Sequence, residues 1–321
     1  GLTPEVIQLH SLEARSGNST FSLKGQLMDY FCFFKDDGDL VTATLKLDSD
    51  TLDLNDWRAW FAVDETTSVK KTSSIIKIPS TIDFDFDSNI KFLRYDDMTI
   101  TNLEGEITLK DGVMKAKETG FNSLNARFFA SGEYDSRDSQ HPLFNFDLKI
   151  EELDIQRAYK DLRLVRELVP AAADASGLFS IQYKIKGELD NTMFPKTETI
   201  IGGGDIHIAD AKVNGMKIFD RLSKKAKKKE MNDPHLRDFT MSTEIRNNKI
   251  FVKPFEIKVS GWKTHIEGVN DINGSINYLV KVELFPIEKL GVPFHVTGTY
   301  DNPVVALGKG ARLPDETAAA N

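Results

Sequence analysis

Three aspartates set one residue apart, Asp83, Asp85 and Asp87 in TIDFDFDS, are the first place to look for metal chemistry. Their spacing matches the opening of a calcium-binding EF-hand loop. Such a loop also needs glycine at its sixth position to turn sharply and a bidentate glutamate at its twelfth to complete the oxygen shell. Ser88 and Arg94 stand at those positions, so a cation sits where the last anion belongs. The intervening Ile82, Phe84 and Phe86 are large and apolar, which a solvated loop has no use for. Side chains alternate faces in an extended chain. The segment therefore predicts a strand with one apolar and one acidic side, not a calcium site.

Other residue types with catalytic potential are scattered. The histidines His10, His141, His207, His235, His265 and His295 show no close pairing with a carboxylate at zinc-helix spacing. His207, His265 and His295 lie in alternating stretches, where a solvent-facing position is expected. No G-x-S-x-G elbow occurs. Gly202, Gly203 and Gly204 lack the G-K-[ST] ending of a phosphate cradle and precede a strand pattern where a P-loop precedes a helix. The single cysteine, Cys32, sits in the apolar run YFCFF and reads as a buried small hydrophobe. It excludes an intrachain disulfide and a cysteine-rich zinc site, and is compatible with a cytosolic or a periplasmic location. No catalytic residue, metal or cofactor is expected.

One charged cluster stands out. Arg221, Lys224, Lys225, Lys227, Lys228 and Lys229 follow closely in a chain whose formal net charge is −8. They lie on an expected helix, MKIFDRLSKKAKKKE, with Met216, Phe219, Leu222 and Ala226 on its apolar side. Lys224, Lys225, Lys227, Lys228 and Lys229 are thus candidates for contact with lipid headgroups. The competing reading is a solvated helix face whose cations suit the helix C-terminus. The overall negative charge argues against general nucleic-acid binding.

The elements that must carry these residues are mostly strands. The chain has 321 residues, 40% of them apolar, enough for one large or two ordinary domains. Alternation recurs in LVTATLKLDSD, LEGEITLKDG, LFNFDLKIEEL, LFSIQYKIKGEL, GDIHIADAKV and INYLVKVELF, giving about 20 expected strands between turn signals such as DDG, KDG and DNP. Helices are few. The clearest is IQRAYKDLRLVRELVPAAADA, with Ile155, Tyr159, Leu162, Val165 and Leu168 at helical spacing and Asp154 as N-cap. A third, shorter one follows Asn55. Antiparallel meanders are therefore expected over a parallel α/β sheet. No apolar stretch approaches the roughly 20 residues that cross a bilayer. The opening GLTPEVIQLH already alternates and is expected to be the cut start of a longer protein.

A finer repeat sits inside the strands: aromatic or threonine, any, apolar, any, glycine, any, apolar. It surrounds Gly25, Gly105, Gly132, Gly187 and Gly298, and half of it surrounds Gly268. Glycine weakens a strand, so its recurrence predicts bends or close backbone approach. About 20 strands at 4.8 Å spacing would make a sheet on the order of 100 Å wide, which three helices cannot cover. The sheet must fold on itself or form a trough whose lining awaits an apolar ligand.

The last third carries a resemblance. GGGDIHIADAKVNGMKIFDRLSK, FTMSTEIRNNKIFVKPFEIKVSG, WKTHIEGVNDINGSINYLVKVELFP and VPFHVTGTYDNPVVAL together are similar to the C-terminal region of the AsmA family. The features are the Gly-x-Ile-x-Ile strand from Gly204, a following helix around Phe219 and Leu222, and a last strand with Gly298, Asn302 and Pro303 in G-T-x-x-N-P order. The upstream LVTATLKLDSD and LKIEELDIQRAY fit more loosely, and the lysine run replaces the family's longer glycine-punctuated polar stretch.

The resemblance implies a mainly β protein: a long, twisted, largely antiparallel sheet curled into a U-shaped groove or flattened barrel, with about three short helices. It implies one elongated domain over residues 1–312, in degenerate units near 1–72, 73–175 and 176–312, and a polar tail at 313–321. It implies residence in the periplasm of a Gram-negative envelope, tethered to the inner membrane by an N-terminal anchor. The implied role is non-enzymatic phospholipid transport or support of outer-membrane assembly. Its ligand would be phospholipid or another acyl chain, and its partners outer-membrane assembly proteins, with no nucleic acid. Ile82, Phe84, Phe86, Ile206 and Ile208 are the candidate groove lining. The alternative is an envelope glycan- or protein-binding β module with a closed core. Trp57, Trp60 and Trp262 would serve a glycan module, although Trp57 and Trp60 have a spacing that suits helix packing better.

Overall fold

The computed structural model describes residues 6–30, 40–56, 75–95, 98–283 and 291–308. Cys32, Trp57, Trp60 and the tail at 313–321 lie outside them.

Sixteen strands form one sheet in strictly sequential order: β1 Val6–Ser16, β2 Ser19–Met28, β3 Val41–Asp53, β4 Ile82–Tyr95, β5 Met98–Lys110, β6 Val113–Ser123, β7 Ala126–Asp135, β8 Leu143–Asp154, β9 Ala175–Glu188, β10 Ile201–Val213, β11 His235–Arg246, β12 Lys249–Val259, β13 Trp262–Asp271, β14 Ser275–Glu283, β15 Gly291–Thr299 and β16 Pro303–Leu307. The sheet is mostly antiparallel and not closed into a barrel, so of the two expected forms the flattened barrel does not hold. One pair runs parallel, β3 with β4, from Val41 opposite Ile82 to Asp53 opposite Arg94. The intervening residues 54–81 provide the long crossover that parallel neighbours require. The described residues hold sixteen strands against the 20 or so expected over the whole chain, and several run long; β4 and β9 each reach 14 residues.

TIDFDFDS is a strand. Ile82 is buried, Phe84 and Phe86 half-buried, and Asp85 and Asp87 exposed on alternate positions of β4. Among the described residues no group of three His, Cys, Asp or Glu side chains is placed to hold a metal.

The helices are shorter than their periodicity predicts. Asp154 caps α1, Ile155–Asp161, by accepting the Arg157 N–H at 2.7 Å. Leu162 then turns extended, at φ −104 and ψ 106, and the chain restarts as α2, Arg163–Leu168, and a 3-10 turn, Pro170–Asp174. Tertiary packing thus divides one predicted helix into three short pieces. α3 spans Lys217–Ala226 and stops at Lys227, whose backbone is left-handed at φ 56. A helical turn opens at residues 54–56, where a short helix was expected, and its continuation lies outside the described residues.

The chain divides into two compact units, Gly1–Lys149 with Lys184–Lys196, and Ile150–Tyr183 with Thr197–Asn321. The first unit holds one buried cluster on Leu52, Ile90, Leu93 and Leu103. Another gathers Ile78, Tyr134, Phe144 and Leu189. In the second unit the largest cluster joins Val213, Leu222, Met231, Val259, Val282, Phe294, Val296 and neighbours, with α3 laid on them. Met231, Val259, Val282 and Phe294 there are wholly shielded from solvent.

Gly132 and Gly268 of the repeat, and Gly204 outside it, share a local cause. A Cβ on Gly132 would lie 2.1 Å from the Asn145 carbonyl oxygen and 2.8 Å from the Phe146 ring. On Gly204 it would lie 2.1 Å from the Gln182 oxygen and 2.8 Å from the Tyr183 ring. Gly268 sits in the same way beneath Tyr278. Each glycine lets a neighbouring strand's ring fold over its Cα, a cross-strand pairing that a side chain would prevent. Gly202–Gly204 accordingly belong to β10, with no phosphate cradle.

Candidate apolar face and lysine cluster

The register of the first unit lines up apolar residues across seven strands. One row runs Ile7, Leu27, Ala43, Phe84, Leu109, Met114, Tyr134, each paired directly with the next. The adjacent row runs Leu9, Gly25, Leu45, Phe86, Ile107, Ala116, Gly132, and the Phe146 ring lies over its last glycine. Seven strands at about 4.8 Å spacing make each row roughly 30 Å long. Directly paired residues share a face, so the two rows form one apolar surface. Ala43, Leu45 and Tyr134 on it are buried. Ile7, Leu9, Leu27, Phe84, Phe86, Ile107, Leu109 and Met114 are only half-buried. The Phe84 and Phe86 rings meet edge to face with centroids 6.0 Å apart.

The β5–β7 end of the first row is shielded by Ile76 and Ile78. Ile76 and Ile78 pack against Leu109, Met114, Tyr134 and Phe146. The Tyr134 hydroxyl donates to the Ile76 carbonyl at 2.8 Å, and the Ile78 N–H donates to the Ser136 hydroxyl at 2.8 Å. Burial pushes the Tyr134 hydroxyl up to about 12.

The reverse face is charged. Lys110 donates to Asp83, and the Thr108 hydroxyl donates to Asp85 at 2.8 Å. Lys117 donates to Glu106 at 3.1 Å. The hydrogen bond from Lys110 and its charge hold that ammonium above the ordinary lysine value through Asp83. A shallow concavity of about 440 Å³ opens there, lined by Glu106, Thr108, Lys115, Lys117, Glu133 and Asn145 around Ala116 and Gly132. The aspartates that resemble a calcium loop thus belong to the hydrated side of an amphipathic sheet.

Ile82, Phe84 and Phe86 come together on one face of β4, as the alternation requires. Ile206 and Ile208 share a face of β10 in the second unit, and there they meet protein. They pack with Ile155, Tyr159, Val165 and Ala172 of the α1–α2 segment, and Ile208 is buried. The remaining members of the two rows were missed by reading strands singly, since only register places Leu27, Ile107 and Met114 beside Phe84 and Phe86.

The lysines cluster at the end of α3. Lys224 pairs with Asp220 at 2.7 Å, one helical turn back. Lys228 lies over Trp262, 4.3 Å from the ring centroid. Arg221, Lys225, Lys227 and Lys229 are exposed. Trp262 itself packs against the large cluster of the second unit, so it offers no free ring to a sugar.

The histidines are engaged by polar neighbours. His265 bridges Glu256 at 3.0 Å and Glu283 at 2.8 Å. His295 contacts the Asn277 side-chain oxygen at 2.6 Å, and His207 the Thr240 hydroxyl at 3.2 Å. The hydrogen bond with His265 holds Glu283 below the ordinary carboxylate range.

Searches against protein-family models, curated proteins and solved structures return no match for this chain.

Proposed function

We propose that this chain is a non-enzymatic lipid-handling protein of the Gram-negative envelope, with the apolar rows of the first unit as its acyl-chain surface. The observation that carries the reading is the pair of seven-strand rows, charged on the reverse side, with Ile7, Leu9, Leu27, Phe84, Phe86 and Ile107 only half-buried on the apolar side. Soluble proteins seldom leave so continuous an apolar surface without an occupant. A row roughly 30 Å long suits an acyl chain, and each half-exposed Phe or Ile that a lipid covers contributes on the order of 1 kcal/mol. In this reading the sheet curls into a U-shaped groove with Phe84, Phe86 and Ile107 inside. The resemblance to the AsmA family adds a periplasmic location, an inner-membrane tether and a role in phospholipid transport or outer-membrane assembly.

The test is direct. Chain purified without detergent from an envelope fraction is extracted with organic solvent, and phospholipid is measured by mass spectrometry. Lipid near one molecule per chain or more is expected, with loss in the Phe86→Asp, Ile107→Asp double variant. Lipid-free protein that also fails to take up a fluorescent phospholipid from vesicles rejects the reading.

A second reading has its own observation. The α3-covered cluster of the second unit is closed, with Phe294 and Val282 wholly buried, as expected of a binding module that holds no cargo. Such a module would take a protein strand at a sheet edge.

A further inference from the structure

The charge at the end of α3 exceeds what the helix needs. A helix C-terminus favours cations in its last turn, which accounts for Lys224 and Lys225. Lys227, Lys228 and Lys229 lie beyond it. The Lys228 N–H donates back to the Ser223 carbonyl at 2.9 Å and the Lys227 N–H to the Lys224 carbonyl at 3.4 Å. This left-handed stop folds the following lysines against the helix end and concentrates the cations there.

The neighbouring β12–β13 turn is tied to this end of α3. Ser260 donates to the Glu230 carbonyl and ties that turn to the segment after α3. Lys258 and Lys263, directly opposite one another across the two strands, alternate with Val259 and Trp262 and so lie on the face away from α3, outside the patch.

The apolar side of α3 is already occupied. Leu222 is buried, and Met216, Ile218, Phe219 and Ala226 pack on the same cluster. Lys217 further fastens the helix by donating to the Asp301 carbonyl at 2.8 Å. The helix therefore cannot roll over and insert; it presents charge alone.

We propose that the α3 end of the second unit docks peripherally on an anionic phospholipid bilayer through Arg221, Lys225, Lys227 and Lys229. Lys228 on Trp262 serves as the fixed base of the patch. The attraction is to headgroups and is screened by salt. It depends on surface charge and not on the apolar rows, so it stands or falls apart from cargo binding.

The test is flotation of the full chain with vesicles of phosphatidylcholine alone and of equal parts phosphatidylcholine and phosphatidylglycerol. Binding is expected only to the anionic vesicles, decreasing as salt rises. Each cation removed should weaken it about fivefold. The quadruple variant Arg221→Gln, Lys225→Gln, Lys227→Asn, Lys229→Gln should therefore fail to float; asparagine keeps the left-handed position accessible. A control with Lys24, Lys46, Lys160 and Lys186 each changed to Gln loses equal charge from exposed positions elsewhere, and should still float. Unchanged binding by the first variant, equal loss by the control, or no flotation of the unaltered chain overturns the proposal. So does full displacement by heparin at low concentration, which would mark a site for soluble polyanions.

Discussion

At Gly204 a single hydrogen stands where a methyl group would strike the Gln182 oxygen at 2.1 Å, whereas a Cβ at Gly203 would meet its nearest neighbour, the Thr243 oxygen, at 3.2 Å. Two adjacent glycines therefore differ in need. Gly204→Ala should cost about 2 kcal/mol or more and Gly203→Ala well under 1, read by urea denaturation. Equal losses would mean that the crossing of Tyr183 over Gly204 does not constrain the strand. The sequence marks Gly132 and Gly268 by their repeat and Gly204 by its triplet, but the rings above them come from other strands, and pairing is not written in any one segment. Tyr134 gives a second residue-level expectation. Its hydroxyl is raised to about 12 by burial, above the ordinary value near 10 in an unfolded chain. A raised value means full stability below that ordinary value, lost as pH climbs from there toward about 12. Tyr134→Phe should show a shallower alkaline decline in denaturant midpoint, after allowance for the lost bond to Ile76. An unchanged decline would shift the effect to Tyr278 and Tyr300, which burial also raises.

Among the elements, the strands of the two units differ in how completely their apolar sides are covered. Phe294 of β15 is wholly buried, so Phe294→Ala should cost about 3–5 kcal/mol through lost transfer energy and a residual cavity. Phe86 of β4 is half-buried, and Phe86→Ala should cost about 1–2 kcal/mol in lipid-free protein. Comparable losses in denaturation of the two variants would show that the β4 face is as closed as the α3-covered cluster. Asp154→Ala should remove about 1 kcal/mol by releasing the Arg157 N–H at the start of α1. That cap was legible because Asp154 directly precedes the helical periodicity. The break at Leu162 was not, since Leu162 continues the period and departs from it only where α1 and α2 pack against Ile206 and Ile208. The stop at Lys227 was equally hidden, because a left-handed lysine carries no signal of the kind glycine gives.

For the molecule as a whole, sequential strand order makes each strand depend on its immediate neighbours. Stability then approximates a sum of neighbour terms, and β1 and β16, each with one strand partner among the described residues, should open first. Hydrogen exchange followed by mass spectrometry should show β1 losing protection before β3, and β16 before β14. Simultaneous exchange of all these strands would indicate a single cooperative block. Alternation made the mainly β, mostly antiparallel class legible across TIDFDFDS, LVTATLKLDSD and INYLVKVELF. It could not reveal the parallel β3–β4 pair, whose partners are separated by residues 54–81, nor the rows that only register assembles. That parallel joint also sets an arithmetic of growth. Slipping one extra strand between antiparallel neighbours would reverse the direction of everything downstream, so lengthening there proceeds by twos. Between β3 and β4 a lone newcomer could run against both sides and leave all later directions intact, so an odd increment fits there.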